Sequence, residues 1–374
     1  MKFSLHMIVK DAEHKLARTL DGVKSFIDEI VIVDTGSADG TVELAKSYGA
    51  KIIRFEWTDD FSEARNVALE ATTGDWVMWL DAGDVIPPKS IERFVLLKKE
   101  PAVISPDSPI NAIWGKLNRT VDSQGNVMMS ITTPRLVKKS ANPKWLFAIH
   151  EILYIEEANA VLDESLVIDD PEGPLPKASE RNLRIMDKCV AEGKDLVRMA
   201  VLRPKELHHL GRYAEAVENI EELYKLELDN NTFADCYVNA GQCFAKLRNE
   251  EKEREMFLKA LMHNPLNPAP FIYLGDMEFR KENWSRAIPY YRSATDATPE
   301  GQQNNYVIEP FYTYAPYEKL AYCYLGLGND KIALDFLYKA IKVAPKNIGE
   351  NLKDIVRQLK AQKNTARHIK IGTN

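Results

Sequence analysis

The chain reads as an α/β domain with a mostly parallel sheet, followed by an all-α solenoid of paired helices. Three observations predict that order. Short β-branched runs alternate with amphipathic stretches over residues 3–80, the pattern of successive βαβ units. Three prolines fall within residues 169–176 and break every period. Beyond them Gly241/Gly275, Ala260/Ala294 and Pro265/Pro299 each recur at a spacing of 34 residues, the length of one helix–turn–helix unit of the tetratricopeptide kind.

The N-terminal elements follow from local pattern. Apolar, β-branched runs predict strands at 3–9, 29–33, 51–54 and 76–80, and the amphipathic stretches between them predict helices at 13–26, 41–48 and 61–71. Each strand ends in polar residues, and ligands of open α/β sheets bind beyond the carboxyl ends of the strands. From about 101 to 168 the texture changes to shorter strand-like pieces (110–117, 127–131, 135–137, 146–155) broken by Pro, Gly and Asn. This is the second half of the same domain, expected to carry the other side of the site. The resulting division is an α/β domain at 1–172, a linker and connecting helix at 173–197, and helical repeats with a basic tail at 198–374.

In the repeat beginning near Pro268, Leu274, Gly275, Ala287, Tyr291, Ala294 and Pro299 occupy the motif positions. Small residues let the paired helices approach, large ones fill the gap, and proline stops the second helix. A later unit (Leu320, Tyr324, Ala333, Leu337, Ala340, Pro345) is offset by 46 residues, which implies an insertion of about 12 residues. The insertion, near 306–317, is rich in aromatics and is suited to gripping a partner or to packing between repeats. A degenerate earlier unit at 197–229, with Ala216 in the small position, brings the array to about four. Such arrays hold a protein or peptide, or brace a neighbouring domain.

Composition bounds the partners. The 374 residues carry a formal charge of −6, with 45% hydrophobic and 28% charged residues, which excludes a uniformly basic nucleic-acid binder. One basic stretch stands near the end: Lys353, Arg357, Lys360, Lys363, Arg367 and Lys370 against Asp354. It reads as a solvated helix face or as a contact for an anionic partner. No apolar run is long enough to span a membrane, and the N-terminus lacks the pattern of a secretory signal. The expected location is cytoplasmic. Four cysteines with no CxxC pair predict reduced residues on helices.

Three clusters carry candidate chemistry. Asp34-Thr35-Gly36-Ser37-Ala38-Asp39-Gly40-Thr41 follows a strand and opens a helix; it is not GxGxxG, and Asp34 is placed to accept a hydrogen bond from a base or ribose. Asp59-Asp60-Phe61-Ser62-Glu63-Ala64-Arg65-Asn66 puts Arg65 and Asn66 one turn into a helix, with Arg65 suited to a pyrophosphate or to an ion pair with Asp34. Trp79-Leu80-Asp81-Ala82-Gly83-Asp84 puts two carboxylates at a strand end, as a divalent cation bridging a diphosphate requires.

Taken together, the segments IVIVDTGSADGT (30–41), DDFSEARN (59–66) and GDWVMWLDAGD (74–84) resemble the family 2 glycosyltransferases of the Rossmann-like GT-A fold. The members most similar in organisation couple that domain to tetratricopeptide-like helices, as in enzymes that glycosylate bacteriocin peptides. Their late HE pair resembles His150-Glu151 here. The resemblance implies a UDP-sugar-dependent, hexosyltransferase-type enzyme with a divalent cation, Mn2+ or Mg2+. It implies nucleotide contacts from Asp34, Thr35, Gly36, Ser37, Asp60, Arg65, Asn66, Asp81 and Ala82, metal contacts from Asp81 and Asp84, and Glu151 or His150 facing the acceptor. Relatives read DADE or DADD where this chain reads DAGD, so Gly83 stands in place of the usual metal-binding carboxylate. The expected acceptor is a peptide, protein or glycan, held by the repeats. The alternatives are a hydroxymethylated base of phage-type DNA and, in another class, a non-catalytic repeat scaffold.

Overall fold

A computed structural model of the chain describes residues 1–171, 176–218, 220–297 and 307–371. The start of the expected linker (173–175), the repeat proline Pro299 and Tyr306 of the insertion lie outside the described residues, as do the side chains of Lys363, Arg367 and Lys370. The chain divides into two compact units, one built mainly from Met1–Asp122 and Met129–Met199, the other mainly from Ala200–Gln302 and Val307–Asn374.

In the first unit the elements run β1 (Phe3–Val9), α1 (Glu13–Val23), β2 (Glu29–Asp34), α2 (Thr41–Ser47), β3 (Lys51–Arg54), α3 (Phe61–Glu70), β4 (Trp76–Trp79), α4 (Pro88–Leu97), α5 (Pro101–Ile104), β5 (Ala112–Val121), β6 (Val127–Lys138), β7 (Lys144–Leu146), β8 (Ile152–Tyr154), β9 (Ala160–Asp169) and α6 (Pro176–Ala191), followed by the start of α7 (Leu196–His209). The main sheet has the order β3-β2-β1-β4-β6-β5-β9. Strands β1 to β4 are mutually parallel, and β6 joins β4 antiparallel. The chain order reverses beside β1, which opens a crevice at the carboxyl ends of β1 and β4.

Alternation along the strands sorts the two faces. Phe3, Leu5 and Met7 of β1 and Trp76 and Met78 of β4 pack with Leu16 and Leu20 of α1 and Phe94 of α4 in one core. The residues between them face the other way: Val77 packs with Val137, Leu69 and Trp145, while His6 is fully buried. On this face Ile8 and Val33 pack with Ala64 and Ala68 of α3.

The βαβ elements match the sequence expectation within a few residues. The second half differs. The expected pieces 127–131 and 135–137 are one strand, β6, which runs through Pro134. The expected strand 146–155 is instead two short strands, β7 and β8, paired with each other. Between them Phe147 (φ 76°) and His150 (φ 50°) adopt left-handed backbone, which no run of L residues sustains in a strand. Strand β9 and helix α4 were not singled out by the sequence pattern.

In the second unit the helices run α8 (Tyr213–Ala216), α9 (Asn230–Lys246), α10 (Glu250–His263), α11 (Pro268–Phe279), α12 (Trp284–Thr295), α13 (Glu309–Tyr312), α14 (Ala315–Gly326), α15 (Asp330–Val343) and α16 (Lys346–Ile371). The 34-residue register has a direct packing cause. A Cβ on Gly241 would lie 2.5 Å from the Phe257 ring and one on Gly275 2.5 Å from the Tyr291 ring, so each glycine lets an aromatic of the paired helix close onto the backbone. Ala260, Ala294 and Ala340 are buried at the matching position. The insertion packs between repeats, with the Phe311 ring edge-on to Tyr273 at 5.6 Å. All four cysteines are buried and unbridged. Among the described residues no helix is long and apolar enough to cross a membrane.

Candidate active site

The crevice beyond β1 and β4 is organised around Arg65. Asp60 caps α3 by accepting from the Glu63 amide at 3.1 Å, and one turn later Arg65 enters the protein with only 4% exposure. Its Nε donates to Glu151 Oε1 at 2.6 Å and its Nη2 to Asp81 Oδ1 at 2.7 Å. Its guanidinium lies 4.7 Å from the Trp145 ring and 5.1 Å from the Trp79 ring, within cation–π range. Arg65 thus joins α3, the end of β4 and the segment before β8 in one contact set. Burial disfavours its charge, but Asp81 and Glu151, by Coulombic attraction and hydrogen bonding, hold its pKa above the usual value.

Trp145 is fixed from two sides. Asn66 donates to its carbonyl and accepts from its amide, both at 2.9 Å, so the Asn66 amide closes a β-like pair with β7. The Trp145 indole donates to His6 Nε2 at 3.0 Å. Burial, then the charges of Arg65 and Lys139, lowers the His6 pKa to about 3, so His6 is a neutral acceptor at physiological pH.

Strand β4 delivers the acidic turn. Desolvation opposes ionisation of Asp81, but Arg65 holds its pKa below the ordinary value, and 44% of its side chain stays open to solvent. Asp84 is turned inward at 4% exposure, its Oδ2 accepting from the Asp81 amide at 2.9 Å. Burial and the neighbouring Asp81 raise its pKa to about 7. Ala82 packs at the edge of the main core. Gly83 has φ 110°; its carbonyl accepts from Arg18 Nη2 at 2.7 Å and its amide donates to Thr19 Oγ1 at 2.9 Å. The turn is therefore stapled to α1.

The first cluster forms a separate wall. Asp34 ends β2 and is nearly buried, with Oδ1 accepting from the Ser37 amide at 3.1 Å. Thr35 donates to the Val9 carbonyl at 3.1 Å, Gly36 has φ 102° with open space around its Cα, and Ser37 Oγ accepts from the Asp11 amide at 3.0 Å. The ion pair considered between Arg65 and Asp34 does not form: Asp81 and Glu151 take the guanidinium instead. His150 is half-buried, and its carbonyl accepts from Arg198, whose guanidinium lies 4.1 Å from the Phe147 ring. The strained 147–150 segment is thus held at a site edge, where such strain tends to accumulate.

Sequence reasoning missed Arg135 on β6. This residue is fully buried, its guanidinium is 4.8 Å from the Trp79 ring, and its Nε, Nη1 and Nη2 have no hydrogen-bond partner among the described residues. Burial lowers its pKa to about 10, against the attraction of Asp84 and Asp81. The available signal was a charge among apolar residues in PRLV. Trp79 and Trp145 read only as core aromatics.

A family model described as glycosyl transferase family 2 matches residues 4–170. Residues 4–170 are a family 2 glycosyl transferase domain. A tetratricopeptide repeat model matches residues 314–347. An 81-residue stretch is 49% identical to a TPR repeat-containing protein of Synechococcus elongatus, covering 22% of this chain and 20% of that one. An 83-residue stretch is 36% identical to an uncharacterized glycosyltransferase of Rickettsia typhi, covering 22% and 28%. Similarity to the SPbeta prophage-derived glycosyltransferase SunS of Bacillus subtilis is 21% over 246 residues, covering 62% and 56%. The chain therefore spans under a third of the length of the first two relatives and just over half of the third. The family 2 domain and the glycosyltransferase relatives agree with the GT-A architecture of the first unit.

Proposed function

We propose that the chain transfers a hexosyl group from a UDP-sugar to a peptide, protein or saccharide hydroxyl, with inversion, in the cytoplasm. The observation that supports this most is the Arg65 junction, which holds Asp81 at the end of β4 and Glu151 beside β8 on one guanidinium. A donor-side carboxylate and an acceptor-side carboxylate are thereby kept in register. Asp34 and the open Gly36 turn form the nucleotide wall.

In this reading the acceptor oxygen attacks the anomeric carbon from the face opposite the diphosphate. The new C–O bond forms as the bond to the UDP oxygen breaks, and that bond's electron pair leaves with UDP. Glu151 takes the acceptor proton, a role worth about 10²–10⁴-fold in rate, with His150 beside it. Donors positioned toward the departing diphosphate stabilise its growing charge. The repeats hold the acceptor.

The cation implied by the family resemblance fits the acidic turn poorly. Asp81 is engaged by Arg65, Asp84 is buried against the Asp81 amide, and position 83 supplies no carboxylate. Among the described residues no three His, Cys, Asp or Glu side chains converge into an all-protein metal cage.

The deciding assay is UDP release from UDP-glucose, UDP-galactose and UDP-N-acetylglucosamine, with Asp81→Ala as the control. Turnover of one donor that Asp81→Ala removes supports the reading; if no donor is bound or turned over, the transferase assignment fails.

A further inference from the structure

Position 83 is occupied by a backbone device. At φ 110° a β-carbon is strained, and both neighbouring peptide groups are tied to α1: Arg18 to the Gly83 carbonyl, and Thr19 to the Gly83 amide and, at 2.9 Å, to the Asp84 carbonyl. The turn is built to aim backbone, and an aspartate at 83 would have to break it. Gly83 is thus a different construction from a site that has merely lost one ligand.

Beneath that turn the site carries fixed positive charge. Arg65 and Arg135 both lie against the Trp79 ring. Four of their nitrogens, Nη1 of Arg65 and Nε, Nη1 and Nη2 of Arg135, are buried without an acceptor among the described residues. Folded proteins pair nearly all their buried donors, and four orphans on two guanidinium groups that share one tryptophan ring are an uncommon concentration. Room for Arg135 is itself provided by the sequence: a Cβ at Gly115 would lie 3.1 Å from Arg135 Cγ and 2.5 Å from the Leu166 carbonyl. Planar guanidinium groups with spare N–H bonds match phosphate oxygens in geometry and charge.

Resting on the transferase reading above, we propose that resident guanidinium groups take the place of a divalent cation: Arg65 meets the diphosphate of the donor, and the buried Arg135 acts on it through its field. The entering phosphate competes with the Asp81 carboxylate, the solvent-exposed member of the cluster, for Arg65. Arg135, behind Trp79, supplies the second positive charge as UDP departs. Fixed positive charge in a water-poor site stabilises a leaving diphosphate as a bound cation would.

The test is calorimetric titration of the full chain with UDP and with uridine, in EDTA and in MnCl2, for the native protein, Arg135→Met and Arg135→Lys. The proposal expects UDP to bind in EDTA within about threefold of its affinity in Mn2+. It expects Arg135→Met to weaken UDP by about tenfold or more, Arg135→Lys to weaken it less, and uridine to bind all three proteins within about twofold, which a merely structural role for Arg135 would not produce. UDP binding that is lost in EDTA and restored by Mn2+ overturns it. So does an Arg135→Met protein that binds UDP normally, or one that loses UDP and uridine alike. The chelator comparison needs no variant, so it decides the matter even if Arg135→Met does not fold. If neither UDP nor uridine binds under either condition, the transferase reading falls with it; if UDP binds only with Mn2+, the transferase reading stands and the guanidinium proposal alone fails.

Discussion

Arg65 and Glu151 meet at 2.6 Å although 86 residues separate them in the chain. The contact fixes the catalytic candidate Glu151 to helix α3 through a charge that Asp81 shares. Glu151→Gln keeps an oxygen acceptor for Arg65 but removes a base. Turnover should fall by about 10²–10⁴-fold while the denaturation midpoint stays close to native. A Glu151→Gln enzyme of native kcat would move the base elsewhere.

Removing the other partner has a different signature. Arg65→Met leaves the 12%-exposed Glu151 side chain without its cation and frees Asp81. Breaking a buried pair from one side costs about 3–5 kcal/mol, so urea denaturation should show a loss of that order together with loss of donor turnover. A stable Arg65→Met protein would mean that the junction is solvated more than its burial implies.

His6 sets part of the acid stability. Its folded pKa, about 3, lies below the unfolded value of about 6.5. Between these values the unfolded chain holds a proton that the folded chain does not. The stabilisation is therefore complete above about pH 6.5 and is lost as pH falls toward 3. His6→Gln, which retains an acceptor for the Trp145 indole, should flatten the stability–pH curve over that window. The check is a set of urea melts at pH 3.5–7.5, and an unchanged slope would show that other groups carry the transition.

Gly83→Ala tests the turn itself. Placing a β-carbon at φ 110° should cost about 1–3 kcal/mol, seen as a lower denaturation midpoint. Gly83→Asp should be destabilised at least as much, with no gain in Mn2+ affinity by calorimetry. A stable Gly83→Asp protein that binds Mn2+ would contradict the account of this turn.

In the repeats, Gly275→Val should drive a side chain into the Tyr291 ring. Overpacking of this kind costs about 1–3 kcal/mol, and the loss should appear in the helical transition by circular dichroism. Donor turnover by the folded protein should be unaffected, because the substitution touches no residue of the crevice.

The sequence was most legible where one residue's chemistry sets its own neighbourhood. Strands β1 to β4 were readable from β-branched runs, and the repeats from Gly241 and Gly275, whose missing side chains admit Phe257 and Tyr291. Asp34, Arg65, Asp81 and Glu151 stood out as polar residues at strand ends or in a family-like pair, but their pairing did not. Local pattern offered Arg65 a pyrophosphate or Asp34, and the packing of α3 against β7 gives it Asp81 and Glu151 instead. Arg135 was hidden because a charge in a strand reads as a solvent-facing position, and its burial depends on Gly115 and Leu166. The break between β7 and β8 was hidden because left-handed backbone at Phe147 and His150 is imposed by contacts from Phe61 and Arg198.

The tryptophans that wall the crevice have a practical consequence. Of the six in the chain, Trp57, Trp76, Trp79, Trp114 and Trp145 belong to the N-terminal domain and only Trp284 to the repeats. Intrinsic fluorescence excited at the red edge of the indole band therefore reports chiefly on the N-terminal domain, whereas far-ultraviolet ellipticity is weighted toward the helical array. With Trp79 touching two guanidinium groups, its emission is also a label-free optical signal for anything that rearranges them.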